Sequence, residues 1–266
     1  MTCSLKAGRP VLKEEMRILA QREIAPGIFA LDLQGQMVGE MRAGQFLHLR
    51  VPDPSKLLRR PISISEIDHE HQVVRVIYRV EGEGTALFSK MLPGQGLDCM
   101  GPQGNGFNLC GLGKGDRVLI IGGGIGVPPL LEVAKELAQK EVEVFSVLGF
   151  ATKDAVILEE EMRKYGQVVV TTDDGSYGIQ GYVSSVVDEL KEDFTAVYAC
   201  GAPGMLRYVD QKFEQHPRAY LSMESRMACG MGACYACVVH LRHQAAAANQ
   251  RVCEDGPVFE TGTVIV

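Results

Sequence analysis

The sequence has no long basic run and no excess of positive charge. Its 27 Lys and Arg residues are outnumbered by 33 Asp and Glu residues, which gives a formal net charge of −6. Nucleic acids and anionic membrane surfaces bind proteins that cluster Lys and Arg side chains on one face. We therefore expect neither nucleic acid nor a membrane among the partners.

Long hydrophobic segments are also missing. The first residues, MTCSLKAGRPVLKEEMRILAQ, contain no apolar core of a secretory signal. The longest apolar stretch, around residues 118–131, is interrupted by four glycines and two prolines and is too short to span a bilayer. We expect a cytoplasmic protein, in which thiols stay reduced, and this weakens any prediction of disulfides.

Motifs of hydrolytic enzymes are absent as well. The sequence has no G-x-S-x-G, no H-E-x-x-H and no Cys–His pair in the context of a nucleophile. We accordingly assign no catalytic side chain of this kind. The 30 glycines, by contrast, concentrate in segments such as GEGT, GPQGNG and GGGIG, where the backbone turns sharply or approaches a ligand.

The pattern of apolar residues divides the chain into three regions. Residues 13–100 alternate short β-rich runs with turns, which predicts an antiparallel barrel, with one short helix over 84–92. From residue 113 onward, buried strands alternate with amphipathic helices, which predicts a Rossmann-like parallel sheet. The last stretch is rich in turns and ends in GTVIV, which we expect to form a strand. The predicted domains are 1–112, 113–221 and 222–266.

The clustered cysteines give the strongest signal. Cys229, Cys234, Cys237 and Cys253 follow C-x4-C-x2-C-x15-C, the spacing of plant-type [2Fe–2S] ferredoxins. The small residues between them leave room for the backbone to wrap a cluster. A structural zinc site and four unligated cysteines are the alternatives, although zinc sites usually contain two C-x2-C pairs and only one is present. His240 and His243 lie nearby, but four cysteines already complete the ligand set, so we interpret both as surface histidines.

Two glycine-containing segments suggest a dinucleotide site. Residues 122–126, GGGIG, follow the strand RVLII and precede a helix, where a pyrophosphate can sit on the helix N-terminus. The spacing is not G-x-G-x-x-G, so a packing turn is an equal alternative. The segment TTDDGSYG ends the third strand, and acidic residues there favour NAD over NADP, unless they only cap a turn.

The order of barrel, nucleotide sheet and ferredoxin-spaced cysteines resembles the ferredoxin–NADP reductase superfamily. Its R-x-[YF]-[ST] motif, which binds FAD, corresponds to Arg60-Pro61-Ile62-Ser63, with Ile62 in place of the usual aromatic residue. Its C-G-x-x-x-M loop, beside the nicotinamide, corresponds to residues 200–205.

A narrower resemblance covers essentially the whole chain. RRPISI, GEGT, TTDDGS, CGAPGML and ESRMACGMGACYACVV look like segments of the electron-transfer subunits of NAD-linked dihydroorotate dehydrogenase B. This implies a multidomain β and α/β fold, with an FAD-binding barrel, an NAD domain and a small C-terminal [2Fe–2S] domain. It further implies a partner, an FMN-containing catalytic subunit, in a heterotetramer with two copies of each chain.

By motif, the resemblance assigns residues to three cofactors. The residues assigned to FAD are Arg60, Pro61, Ile62, Ser63, Ile77, Tyr78, Arg79, Gly84 and Thr85. The residues assigned to NAD are Gly122, Gly123, Gly124, Gly126, Asp174, Cys200 and Gly201. The ligands assigned to the cluster are Cys229, Cys234, Cys237 and Cys253.

The activity implied is transfer of electrons from the FMN of the dihydroorotate-oxidising partner, through the cluster and FAD, to NAD+ in pyrimidine biosynthesis. Two alternatives remain: a subunit of another NAD(P)H:ferredoxin or sulfide-linked reductase, and a zinc-stabilised nucleotide-binding regulator.

Overall fold

The computed structural model describes residues 11–191, 193–242, 244–245 and 248–266. His243, considered above as a ligand, lies outside these residues. Within them, the first region folds as a closed antiparallel barrel with strand order β1-β2-β5-β4-β3-β6. In chain order its elements are β1 (Leu12–Ala25), β2 (Ile28–Gln34), β3 (Phe46–Leu49), β4 (Arg60–Asp68), β5 (Val73–Arg79), helix α1 (Glu83–Phe88) and β6 (Gly96–Gln103).

Side chains of the barrel alternate between its interior and its outer surface, as the two-residue period of a strand requires. On β3, Leu47 and Leu49 belong to the barrel core, whereas Phe46 packs with residues of the C-terminal region. Inside the barrel, the Tyr78 ring stacks on Phe29 with centroids 5.8 Å apart. The predicted barrel is confirmed, and the short helix predicted over 84–92 is present but ends at Phe88.

The second region is an α/β unit built around a parallel sheet. Its elements are β7 (Arg117–Gly123), α2 (Pro128–Gln139), β8 (Glu143–Phe150), α3 (Glu159–Arg163), β9 (Gln167–Thr172), β10 (Ile179–Gln180), α4 (Ser184–Val187), β11 (Ala196–Cys200), α5 (Pro203–Lys212) and β12 (Ala219–Ser222). The parallel pairings follow the order β10-β9-β8-β7-β11-β12.

Both faces of this sheet are covered, which explains why its strands are continuously apolar. On β7, Val118 and Ile120 contribute to one hydrophobic cluster, and Leu119 and Ile121 contribute to another. All four side chains are fully buried. The predicted Rossmann-like arrangement is therefore confirmed.

The C-terminal region contains β13 (Val238–His240), β14 (Asn249–Arg251) and β15 (Val258–Glu260). The prediction of a strand over GTVIV was wrong: the strand is β15, which pairs with β12 and extends the nucleotide sheet. Gly262, the first residue of GTVIV, has a φ of +75°, which ends the extended conformation there. Beyond it, Val264 forms an isolated bridge with Leu241.

A buried ion pair joins the barrel to the nucleotide unit. The Glu132 carboxylate on α2 accepts the Ile67 backbone N–H at 2.7 Å, and Lys135 Nζ donates to the Ile67 carbonyl at 2.6 Å. The two side chains also pair with each other at 3.2 Å. Helix α2 is therefore attached to strand β4 through the backbone N–H and the backbone carbonyl of Ile67.

In the described part of the chain, no helix has the length and hydropathy to cross a membrane.

Candidate functional site

The four ferredoxin-spaced cysteines lie in two segments of the C-terminal region. Cys229, Cys234 and Cys237 precede β13, and Cys253 follows β14. Because β13 pairs with β14, the Cys237 carbonyl accepts the backbone N–H of Val252 at 2.9 Å. This hairpin brings the fourth cysteine back beside the first three.

The four thiols lie within interaction range of one another. The protonation of Cys229 responds to Cys234, and that of Cys253 responds to Cys237 and Cys229. Within the described residues, no three His, Cys, Asp or Glu side chains are grouped closely enough to hold a single metal ion. The C-x4-C-x2-C-x15-C spacing of the four cysteines favours a binuclear iron–sulfur cluster over zinc.

Backbone amides of residues 229–237, which we call the cysteine loop, point at the sulfur atoms. The N–H of Met231 donates to Cys229 Sγ at 3.4 Å, and the N–H of Gly232 donates to Cys253 Sγ at 3.2 Å. Burial alone would raise the pKa of Cys229, but hydrogen bonds from Met231, Cys234 and Ala233 lower it to about 7. Cys253 lies deeper, and burial together with Cys237 raises its pKa to about 12.

The cysteine loop has one face in the protein and one face in solvent. Cys237 and Cys253 are 2% and 3% exposed and pack against Phe46 of the barrel. Cys234 is exposed, and so are its neighbours Met231 and Tyr235. A cofactor held by these thiols would lie between the barrel and the protein surface.

His240 carries an exposed side chain on β13, in agreement with its interpretation as a surface histidine.

The structure brings together part of the predicted FAD set. A Cβ atom added to Gly84 would lie 2.8 Å from Arg60 Nε, so the guanidinium rests on the first turn of α1. Arg60 Nη1 also donates to the Leu58 carbonyl at 2.7 Å. The Thr85 hydroxyl accepts the N–H of Glu81 at 3.0 Å and fixes the same turn. Arg60, Gly84 and Thr85 therefore lie together at the first turn of α1, where the guanidinium supplies the positive charge.

The remaining FAD residues differ in how they present their side chains. Tyr78 is 1% exposed and its hydroxyl donates to Gln21 Oε1 at 3.0 Å, so its ring lies in the barrel core. Ile77 is 4% exposed and packs on the opposite side, with the nucleotide unit. Arg79 is exposed and pairs with Glu81. Pro61, Ile62 and Ser63 are half-buried on β4.

The predicted NAD residues meet at the carboxyl ends of β7 and β11. A Cβ atom added to Gly126 would lie 2.5 Å from the carbonyl carbon of Cys200 and from the nitrogen of Gly201. A Cβ atom added to Gly201 would lie 3.1 Å from the Cα of Gly123. The two glycine turns are therefore in direct backbone contact. Gly122 and Gly124 complete the first of these turns.

Cys200 and Asp174 have different surroundings in this unit. Cys200 is 2% exposed, and burial raises the pKa of its thiol to about 12. Asp174 is exposed just beyond β9 and accepts hydrogen bonds from the Ser176 N–H at 3.0 Å and from the Ser176 hydroxyl at 2.6 Å. These bonds lower the pKa of Asp174 and give it the role of a turn cap in this conformation.

Two buried polar residues beside the cysteine loop were missed from the sequence. His48 is 0% exposed and Gln103 is 3% exposed, and both lie next to Gly230. The sequence did contain a signal for His48: it interrupts the apolar run QFLHLRV, and a histidine is unusual in a strand that is buried on both faces.

Two family models match the chain. Residues 224–265 match the iron–sulfur cluster binding domain of dihydroorotate dehydrogenase B. Residues 120–211 match the oxidoreductase NAD-binding domain. The first range contains all four ferredoxin-spaced cysteines, and the second contains both glycine turns.

Curated relatives are similar over almost the entire chain. The dihydroorotate dehydrogenase B (NAD(+)) electron transfer subunit of Streptococcus mutans is 67% identical, over 96% of this chain and 99% of the relative. This decides the family. The chain belongs to the electron-transfer subunits of NAD(+)-linked dihydroorotate dehydrogenase B. Subunits of the same name from Enterococcus faecalis and Bacillus caldolyticus are each 48% identical, over 96% of this chain.

Solved structures agree with this fold. The NADH-dependent reduced ferredoxin-NADP oxidoreductase, described in terms of flavin-based electron bifurcation, matches 97% of this chain and 91% of its own, with a TM-score of 0.84 and 27% identity. A ferredoxin NADP+ reductase from Neisseria gonorrhoeae with bound FAD and NADP matches 77% of this chain and 92% of its own, with a TM-score of 0.65 and 18% identity. The second likeness concerns the fold alone.

Proposed function

We propose that this chain carries electrons from an FMN-containing, dihydroorotate-oxidising partner to NAD+, with one [2Fe–2S] cluster and one FAD as its cofactors. When bound, the cluster exchanges single electrons, and the flavin exchanges either one or two, which allows hydride transfer to NAD+. The protein residues bind these groups, orient them and shield them from water.

The convergence of four ferredoxin-spaced cysteines is the observation that carries the proposal. Cys229, Cys234, Cys237 and Cys253 would supply the four thiolates that a [2Fe–2S] cluster requires. The N–H groups of Met231 and Gly232 already point at sulfur, where they would stabilise negative charge.

Contacts between glycines and their neighbours support the other two proposed sites. Arg60, against Gly84, offers a forked donor to an FAD phosphate or to the flavin edge. Because Tyr78 and Ile77 face two packed cores, β5 would present its backbone to the flavin. The contact of Gly126 with Cys200 and Gly201 forms the base of the proposed NAD site.

The exposed side of the cysteine loop is the proposed docking surface for the partner. Met231 is 47% exposed and Tyr235 is 59% exposed, beside the exposed Cys234. We propose a heterotetramer of two copies of each chain, located in the cytoplasm, where the thiols stay reduced. The proposed domain limits remain 1–112, 113–221 and 222–266.

Metal and flavin analysis of the purified chain tests this function. We expect two irons, two sulfides and one FAD per chain, with flavin and cluster absorbance in the visible range. Serine in place of Cys237 should remove the cluster absorbance, whereas serine in place of the buried Cys99, in the barrel core, should retain it. Zinc without iron would overturn the proposal.

A further inference from the structure

The outer surface of the barrel carries two polar side chains directly beneath the cysteine loop. His48 lies on β3, opposite Pro61 of the Arg60–Ser63 segment. Gln103 ends β6 and lies opposite Phe46. The pair therefore adjoins the proposed FAD motif on one side and the C-terminal region on the other.

Neither side chain has a hydrogen-bond partner within the described residues. This holds for both ring nitrogens of His48 and for both polar atoms of the Gln103 carboxamide. A buried polar group without a partner costs about 1–3 kcal/mol, so native proteins rarely retain one without a reason. Two adjacent side chains of this kind point to a shared role.

Both side chains are directed at the residue that follows Cys229. A Cβ atom added to Gly230 would collide with His48 Nδ1 and lie 2.7 Å from Gln103 Oε1. Gly230 also has a φ of +69°, which disfavours other residues. The imidazole and the carboxamide therefore lie close to the backbone of Gly230 in the cysteine loop.

The imidazole is neutral in this position. Burial, followed by the charges of Arg59 and Arg60, lowers the pKa of His48 to about 4. A neutral imidazole has one N–H donor and one acceptor nitrogen, and a carboxamide has two N–H donors and one acceptor oxygen. The pair can therefore donate hydrogen bonds to sulfur without adding a positive charge.

We propose that His48 and Gln103 are positioning residues that hold the Cys229–Gly232 loop and donate hydrogen bonds to the sulfur atoms of the cluster, and so raise its reduction potential. This inference rests on the proposed function, since it assumes that the four cysteines hold a [2Fe–2S] cluster. Hydrogen bonds to sulfur and the residues around a ligand set are general determinants of cluster potential.

A redox titration of the purified chain, monitored by the electron paramagnetic resonance signal of the reduced cluster, tests the inference. His48→Leu and Gln103→Leu should each make the midpoint potential more negative. We expect about a tenfold change in the one-electron equilibrium, which corresponds to about 59 mV. His48→Gln keeps a donor and should remain near the unmodified protein. The control is Ser146→Ala, which removes an unpartnered buried hydroxyl from the nucleotide sheet.

Unchanged potentials in both leucine variants, with normal iron content, would overturn the inference and leave the proposed function standing. Iron loss in His48→Leu that His48→Gln restores would support it, whereas iron loss in both would overturn it, because packing alone would then explain the effect. Absence of iron from the unmodified chain would instead contradict the proposed function.

Discussion

Gly126 shows how closely the two glycine turns of the nucleotide unit pack. In Gly126→Ala the new methyl group would lie 2.5 Å from the carbonyl carbon and oxygen of Cys200, which are backbone atoms and cannot rotate away. Overpacking of this kind costs about 1–3 kcal/mol and would displace the 200–201 loop. We predict a lower melting temperature and a higher KM for NADH with an artificial electron acceptor. Gly113→Ala, which meets no atom within 4 Å, should change neither quantity.

Arg60 provides a second test at the scale of a residue. Its guanidinium rests on Gly84 at the first turn of α1, so its donors are fixed in direction. Arg60→Lys retains the charge but removes the planar fork, and Arg60→Leu removes both. We predict a stepwise fall in the FAD-to-protein ratio, read from flavin absorbance. Arg17→Leu on the exposed face of β1 should retain full FAD, and equal FAD content in all variants would contradict the assignment.

How well single residues could be predicted depended on the kind of signal. The cysteine spacing identified four side chains that the structure brings together, because ligand spacing is set by local chain geometry. The assignment of Tyr78 to FAD came from a motif, which does not show that its ring points into the barrel. His48 was missed because its environment depends on Gly230, which lies far away in sequence.

At the scale of elements, the attachment of α2 to β4 depends on a buried carboxylate. Burial raises the pKa of Glu132 despite the Ile67 N–H and Lys135. A raised carboxyl pKa means that the folded state binds the proton more tightly than the unfolded chain does. The contribution of protonated Glu132 to the free energy of unfolding is fully present below the pKa of the unfolded chain, near 4.5. It is lost as the pH rises through the higher pKa of the folded state.

We therefore predict that Glu132→Gln removes a pH-dependent part of the stability. Relative to the variant, the unmodified protein should lose melting temperature as the pH rises from about 4.5 through the folded pKa. Melting curves across this range measure the effect. The exposed Glu189→Gln serves as the control, and parallel pH profiles for Glu132→Gln and the unmodified protein would contradict the prediction.

The strands of the barrel and of the sheet were predictable because each carries its own apolar pattern. The structure of the last residues was not predictable in this way, because GTVIV has the composition of a strand but does not form one. The observed strand, β15, is instead selected by the free edge of β12, where Phe259 is 5% exposed. A tertiary contact thus overrides local propensity.

At the scale of the whole molecule, the proposed docking surface for the partner is the exposed side of the cysteine loop. Met231→Asp and Tyr235→Asp place a charge beside the exposed Cys234 and should weaken assembly by tenfold or more, as expected when a charge replaces an interface anchor. Co-purification and titration with the catalytic subunit measure this effect. Tyr182→Asp, at a side chain 68% exposed on the nucleotide unit, is the matched control. Unchanged affinity of both loop variants for the catalytic subunit would contradict the proposed docking surface.

The central claim is that electrons leave a dihydroorotate-oxidising partner and reach NAD+ through this chain. The most direct measurement is NADH formation, followed by its absorbance, after co-expression with the FMN-containing subunit. We predict dihydroorotate-dependent NADH formation only when both chains are present, and its loss when Cys237 is replaced by serine. Undiminished NADH formation without this chain, or with the Cys237→Ser variant, would contradict this route of electron transfer.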